Sequence, residues 1–160
     1  MFSTRNDLTR EVRGKMISLL NQQLADTFDL YSQTKQAHWN VKGAQFFQLH
    51  EQFDKLAEEL LGYVDLIAER ATALGGLALG TVRMSAANSQ LPECELDLTD
   101  SLPTVESVAE RYAGLAASTR QATESAEGQG DADTADLFTE ISRGVDKALW
   151  FLEAHLQTQN

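Results

Sequence analysis

Residues 44–76 read AQFFQLHEQFDKLAEELLGYVDLIAERATALGG, and the fold turns on this stretch. Phe46, Leu49, Phe53, Leu56, Leu60, Val64 and Ile67 recur by threes and fours, which lays one apolar stripe along a helix. No proline interrupts the run. Gly75-Gly76 closes it, because glycine readily takes the left-handed turn that follows a last helical residue. A helix over about 44–74 is predicted, with His50, Asp54, Asp65 and Glu69 among its polar positions.

Working outward, a second such pattern precedes it. Leu8, Val12, Met16, Leu19, Leu20, Leu24, Phe28 and Tyr31 predict a helix over about 6–38, and Lys42-Gly43 separates the two. Downstream, residues 77–102 read as a long crossover holding a short helix around Thr81 to Ala87. A third long helix is predicted over about 104–127, just after Pro103, and Gly-Gln-Gly-Asp at 128–131 supplies a turn. The last runs over about 134–156, with Leu137, Ile141, Val145, Leu149 and Leu152 inward and Trp150 expected in the core. The whole chain, 1–160, reads as one domain without internal repeats. Two helices, a long crossover and two more helices describe an all-α, ferritin-like four-helix bundle. The crossover makes the second and third long helices parallel, and the short connections make antiparallel neighbours.

Composition limits the partners. With 42% hydrophobic and 23% charged residues the chain is globular, not disordered. A net charge of −11 and a pI near 4.6 repel nucleic-acid phosphates and attract cations. The mild exception lies before Met16, where Arg5, Arg10, Arg13 and Lys15 outnumber Asp7 and Glu11. Cys94 is the sole cysteine, so no intrachain disulfide forms; an exposed thiol and a small buried hydrophobe are both open roles. The opening residues show no apolar leader core, and no apolar run reaches membrane-spanning length, so the cytoplasm is the expected compartment.

Five residues carry the chemistry: His38, His50, Asp54, Asp65 and Glu69. His50 and Asp54 lie four apart and share a helix face, and Asp65 and Glu69 repeat the arrangement. From Asp54 to Asp65 the helix climbs roughly 16 Å, so no single centre uses both pairs on one copy. A second copy packed antiparallel would bring its Asp65 and Glu69 opposite His50 and Asp54, with His38 able to join. Two-fold symmetry then gives two equivalent sites per dimer. Carboxylates bind hard cations and imidazole adds affinity for transition metals, which suits iron; zinc suits the same donors. The Glu-x-x-His pairs of an intrasubunit di-iron bundle are absent, since Lys35, Phe47 and Leu152 stand three before the histidines.

These residues make the chain resemble the Dps family, the DNA-binding proteins from starved cells, over essentially its whole length. The resemblance is carried by Lys35-Gln-Ala-His38-Trp39-Asn-Val-Lys-Gly43 with Phe46, Leu49-His50 and Phe53-Asp54, and by Asp65-Leu-Ile-Ala-Glu69-Arg-Ala-Thr-Ala-Leu-Gly-Gly76. Asp133-Thr-Ala-Asp136 and Asp146-Lys-Ala-Leu-Trp-Phe-Leu-Glu153 extend it. It implies that Asp65 and Glu69 hold iron directly with His38 of the two-fold partner, while His50 and Asp54 complete a weaker second position. It also implies a hollow dodecamer that oxidises ferrous iron, prefers hydrogen peroxide as oxidant and stores ferric mineral. Trp39 would shield the site or intercept radicals, with plain aromatic packing as the alternative. Asp136 matches the family's pore position, and Glu127, Asp131 and Asp133 are further pore candidates.

Bland alternatives accompany each residue. A lone histidine is commonly a cap or a surface residue, the three acids taken singly read as solvated faces, and Glu69 could pair with a lysine. Acids near the start of a helix favour its dipole whether or not they line a pore. DNA binding is expected to be weak or absent, because the chain opens almost where its first helix does and carries no lysine-rich tail. Two other functions are kept open: a nucleoid-associated protector of DNA, and a metal-binding shell without redox activity.

Overall fold

In the computed structural model, which describes residues 1–157, the chain forms five helices and, among those residues, no strand. The final three positions of the expected domain lie outside the described residues. Helix α1 spans Arg10–Asn40, later than periodicity suggests. The reason is local: Thr4 Oγ1 accepts from the Asn6 amide and Asn6 Oδ1 from the Leu8 amide, which folds residues 4–8 into a turn. Thr9 then caps α1, its Oγ1 accepting from the Val12 amide.

Helix α2 spans Phe46–Ala73 after a turn in which Gly43 takes φ +108°. That turn is tied to the far part of the chain. The Lys42 amide donates to Thr99 O at 2.8 Å, and Ser101 Oγ donates to Lys42 O at 2.6 Å. The crossover holds α3 (Val82–Asn88), capped by Thr81, and leads into α4 (Ser101–Gly128). The start of α4 therefore sits beside the α1–α2 turn, so α4 runs parallel to α2 and the crossover travels the length of the bundle. Pro103 lies inside the first turn of α4, not before it, where a missing N–H costs nothing.

Buried and half-buried polar groups of α1 hold the crossover down. Ser85 Oγ donates to Ala25 O at 2.7 Å, Asp26 accepts from the Gln90 amide at 2.7 Å, and Asp29 accepts from Ser89 Oγ at 2.6 Å. Cys94, farther along the crossover, is half-buried. Helix α5 spans Ala132–Glu153 and closes the bundle.

The predicted stripes meet in one core of Leu20, Leu30, Leu49, Phe53, Leu60, Ile67, Leu115, Phe138, Ile141 and Leu152. Trp150 corrects the sequence reading, being 59% exposed and tilted against Phe151. Phe138, Ile141, Val145, Ala148 and Leu152 form the inward face of α5, and Trp150, two positions past Ala148, points about 200° away from it. No helix among the described residues is long and apolar enough to cross a membrane.

Candidate metal centre

Antiparallel packing of α1 and α2 brings His38, His50 and Asp54 together. The two imidazoles stack with ring centroids 3.8 Å apart and planes 21° from parallel, and Phe46 covers His50 at 5.1 Å. Each ring bonds the other residue's backbone: His38 Nδ1 lies 2.7 Å from His50 O, and His50 Nδ1 lies 2.9 Å from His38 O. A carbonyl oxygen only accepts, so both Nδ1 atoms carry hydrogen. In the neutral rings this leaves both Nε2 lone pairs free to bind a cation, the tautomer a metal-ligating histidine needs. His38 is 8% exposed, and its Nε2 faces Asp54 Oδ1 at 3.9 Å.

Asp54 has a partner that spacing alone did not reveal. Lys35 Nζ, one turn before His38, donates to Asp54 Oδ1 at 2.5 Å. That hydrogen bond, helped by the charges of Lys35, His38 and His50, holds the Asp54 carboxyl below its ordinary range against a smaller opposing push from desolvation. The pair's contribution is present above the ordinary carboxylate pKa and is lost as pH falls through the lowered value. In a Lys35→Ala variant the Asp54 carboxyl should titrate at higher pH, as followed by carbon-13 NMR of labelled aspartate. An unmoved midpoint would remove Lys35 from the account.

Asp65 and Glu69 lie farther along α2, exposed and one turn apart. Among the described residues neither side chain forms an ion pair, so the lysine partner considered for Glu69 is not found. Within one copy, no three His, Cys, Asp or Glu side chains of the described residues converge on a common point. Trp39, beside His38, is 65% exposed, with Lys35 Nζ 5.8 Å from its ring centroid.

The pore candidates divide. Glu127, Asp133 and Asp136 are exposed, whereas Asp131 is 2% exposed and serves as the cap of α5. Asp131 accepts from the Thr134 amide at 3.1 Å, from Thr134 Oγ1 at 2.6 Å and from Arg70 Nη2 at 2.6 Å. Arg70 also reaches Thr134 Oγ1 and Asp133. Both carboxylate oxygens of Asp131 thus already accept hydrogen bonds inside the subunit. Sequence reasoning missed Arg70, whose only signal there is its place directly after Glu69.

Comparisons with known proteins agree with this architecture. Residues 17–160 match the family model described as ferritin-like domain. A curated relative from Agrobacterium fabrum, named DNA protection during starvation protein, is 41% identical over 157 residues, covering 98% of this chain and 97% of its own. The chain belongs to the Dps family. Among solved Dps structures, DpsC from Streptomyces coelicolor superposes with a TM-score of 0.91 at 32% identity, covering 100% of this chain and 92% of its own. A Dps protein from Vibrio cholerae, described as a member of a broad superfamily of ferritin-like diiron-carboxylate proteins, gives 0.91 at 27% identity, with 98% of each chain covered. The ferritin-like bundle read from the helix pattern is therefore the fold of this Dps chain.

Proposed function

We propose that this chain assembles with copies of itself into a hollow dodecamer that binds ferrous iron between two-fold-related subunits, oxidises it and stores the ferric product. The carrying observation is the division of one ligand set. His38, His50 and Asp54 gather at one end of α2, with both Nε2 lone pairs free, while Asp65 and Glu69, exposed and without an ion-pair partner among the described residues, stand at the other. An antiparallel mate completes each half with the other's, giving a mixed His and carboxylate site suited to Fe(II).

Two ferrous ions give one electron each to hydrogen peroxide, whose O–O bond breaks; the two hydroxides formed go to the two ferric ions, whose further hydrolysis to the stored oxyhydroxide releases protons to solvent. Peroxide is the preferred oxidant in this reading, and iron and peroxide are consumed together, which limits hydroxyl-radical production. Exposed Asp136, with Glu127 and Asp133, would draw cations toward a three-fold inlet, and Trp39 would shield the site. The cytoplasm is the proposed compartment. Stopped-flow absorbance after mixing the anaerobic protein and ferrous iron with peroxide or oxygen tests the reading. Rapid ferric absorbance, faster with peroxide and suppressed by prior zinc, is expected. Metal binding without turnover would replace it with a non-redox shell.

The relatives' name favours a second reading, physical protection of DNA. The charge argues against it here. Of the basic residues before Met16, Arg13 is bonded to Leu8 O and Leu74 O, and Lys15 pairs with Glu11. Arg5 and Arg10 belong to a chain of net charge −11. Supercoiled DNA should migrate unretarded with this protein near pH 8 at moderate salt. Robust retardation would restore the DNA reading.

A further inference from the structure

Arg70 makes contacts that the proposed chemistry does not by itself require. Its guanidinium grips α5 with three donors: Nε to Thr134 Oγ1 at 2.9 Å, Nη2 to Asp131 Oδ1 at 2.6 Å and Nη1 to Asp133 Oδ2 at 3.4 Å. Two of these acceptors do not yield, because Thr134 is fully buried and Asp131 nearly so. The grip begins on the residue directly after Glu69, close to where α2 ends at Ala73.

The end of a helix frays, because its last four carbonyls lack intrahelical partners. Here it is tied on several sides. Thr72 Oγ1 donates to Glu69 O at 2.8 Å, Arg13 Nη1 to Leu74 O at 3.0 Å, and the Phe2 amide to Gly75 O at 2.7 Å. The Arg13 and Phe2 bonds fix the backbone's position against the start of the chain, while the Thr72 bond is local to α2. The Arg70 fork runs from a side chain of this turn to α5, so it fixes the turn's rotation about its axis. Successive side chains leave a helix about 100° apart, so a locked Arg70 also fixes the direction in which Glu69 leaves. Lysine would supply a point charge but not the planar three-way fork.

We propose that Arg70 is a positioning residue for the Asp65–Glu69 face, acting through its fork onto Asp131 and Thr134. The inference rests on the reading of Asp65 and Glu69 as metal ligands and names what orients them. Supporting contacts of this kind alter metal affinity by about 10- to 100-fold.

Cobalt(II) alone, titrated into the assembled protein and read by its visible absorption, tests it. R70Q should bind cobalt at least about tenfold more weakly, and R70K, which keeps the charge, should still fall short of wild type. D131N should give a similar loss, and R70Q with D131N little more than either, because the clamp works as one unit. L115A, a core change remote from this turn, controls for stability. Cobalt affinity within twofold of wild type in both R70K and R70Q would overturn the proposal, as would an equal loss in an L115A protein of matched thermal stability. The D65A/E69A protein separates the two levels: if it keeps the cobalt signal, the ligand assignment itself fails. If it loses the signal while the Arg70 variants keep it, only the positioning role fails.

Discussion

A protein carrying both Asp65→Ala and Glu69→Ala should keep its helices and its assembly and lose rapid ferrous oxidation. Removing one supporting contact around a metal ligand already costs about 10- to 100-fold, so losing two direct carboxylates should cost at least ~100-fold. The fold has no reason to suffer. Both side chains are exposed, neither is ion-paired among the described residues, and alanine is the better helix former. Two like charges one turn apart destabilise an isolated helix by roughly 0.2–0.5 kcal/mol, so the variant should hold α2 slightly better than wild type. An uncompensated acid pair that costs a little stability is consistent with the proposed cation-binding face. Stopped-flow oxidation by peroxide, with circular dichroism and sizing of the same preparation, checks both halves. Glu106→Ala with Glu110→Ala makes the same change of charge on α4 and should leave oxidation near wild type. Wild-type rates in the Asp65/Glu69 variant would remove the assigned site.

Much of this is legible in the chain because the decisive signals are periodic. The stripe from Leu49 to Ile67 names the buried face of α2, Phe46 at its start being 44% exposed, and the same register places His50, Asp54, Asp65 and Glu69 away from it. Spacing also forbids one copy from using all four in a single centre, which is why the proposed site draws on a second copy. What stays hidden depends on contacts between segments distant in sequence. Lys35 reaches Asp54 only because α1 and α2 pack antiparallel, and Arg70 reaches Asp131 across the end of the bundle. The burial of Asp131 follows from neither its charge nor its turn sequence. The sequence offers Asp131 as one of the weaker pore candidates beside the ordinary reading of an acid at a helix start; within the subunit Thr134 and Arg70 occupy it. Trp150 misleads for a different reason: size suggests the core, whereas the register of α5 turns it outward. The helix starts at Arg10 and Ser101 are set by short side-chain bonds and a tolerated proline, which a periodic pattern does not register.

Phe53→Ala should destabilise the subunit by about 3–5 kcal/mol. Phe53 is 0% exposed and sits on the inward stripe of α2 with Leu49, Leu56 and Leu60. Its ring fills space that close-packed neighbours recover only in part, so the loss combines transfer free energy with the cavity left behind. Against a total stability of about 5–15 kcal/mol this is a large fraction. The residue stands directly before Asp54 and three after His50, yet its role differs from theirs. Burying Phe53 is what turns the His50 and Asp54 side of α2 outward, so the core specifies the side proposed to face the metal. Urea unfolding of the variant should be compared at one fixed protein concentration, because subunit association stabilises the folded state by mass action. At urea concentrations where the variant remains folded, cobalt should still bind, since every proposed ligand is retained. A change in stability below about 1 kcal/mol would mean that α2 does not bury this face, and the orientation of all four proposed α2 ligands would then lose its physical cause.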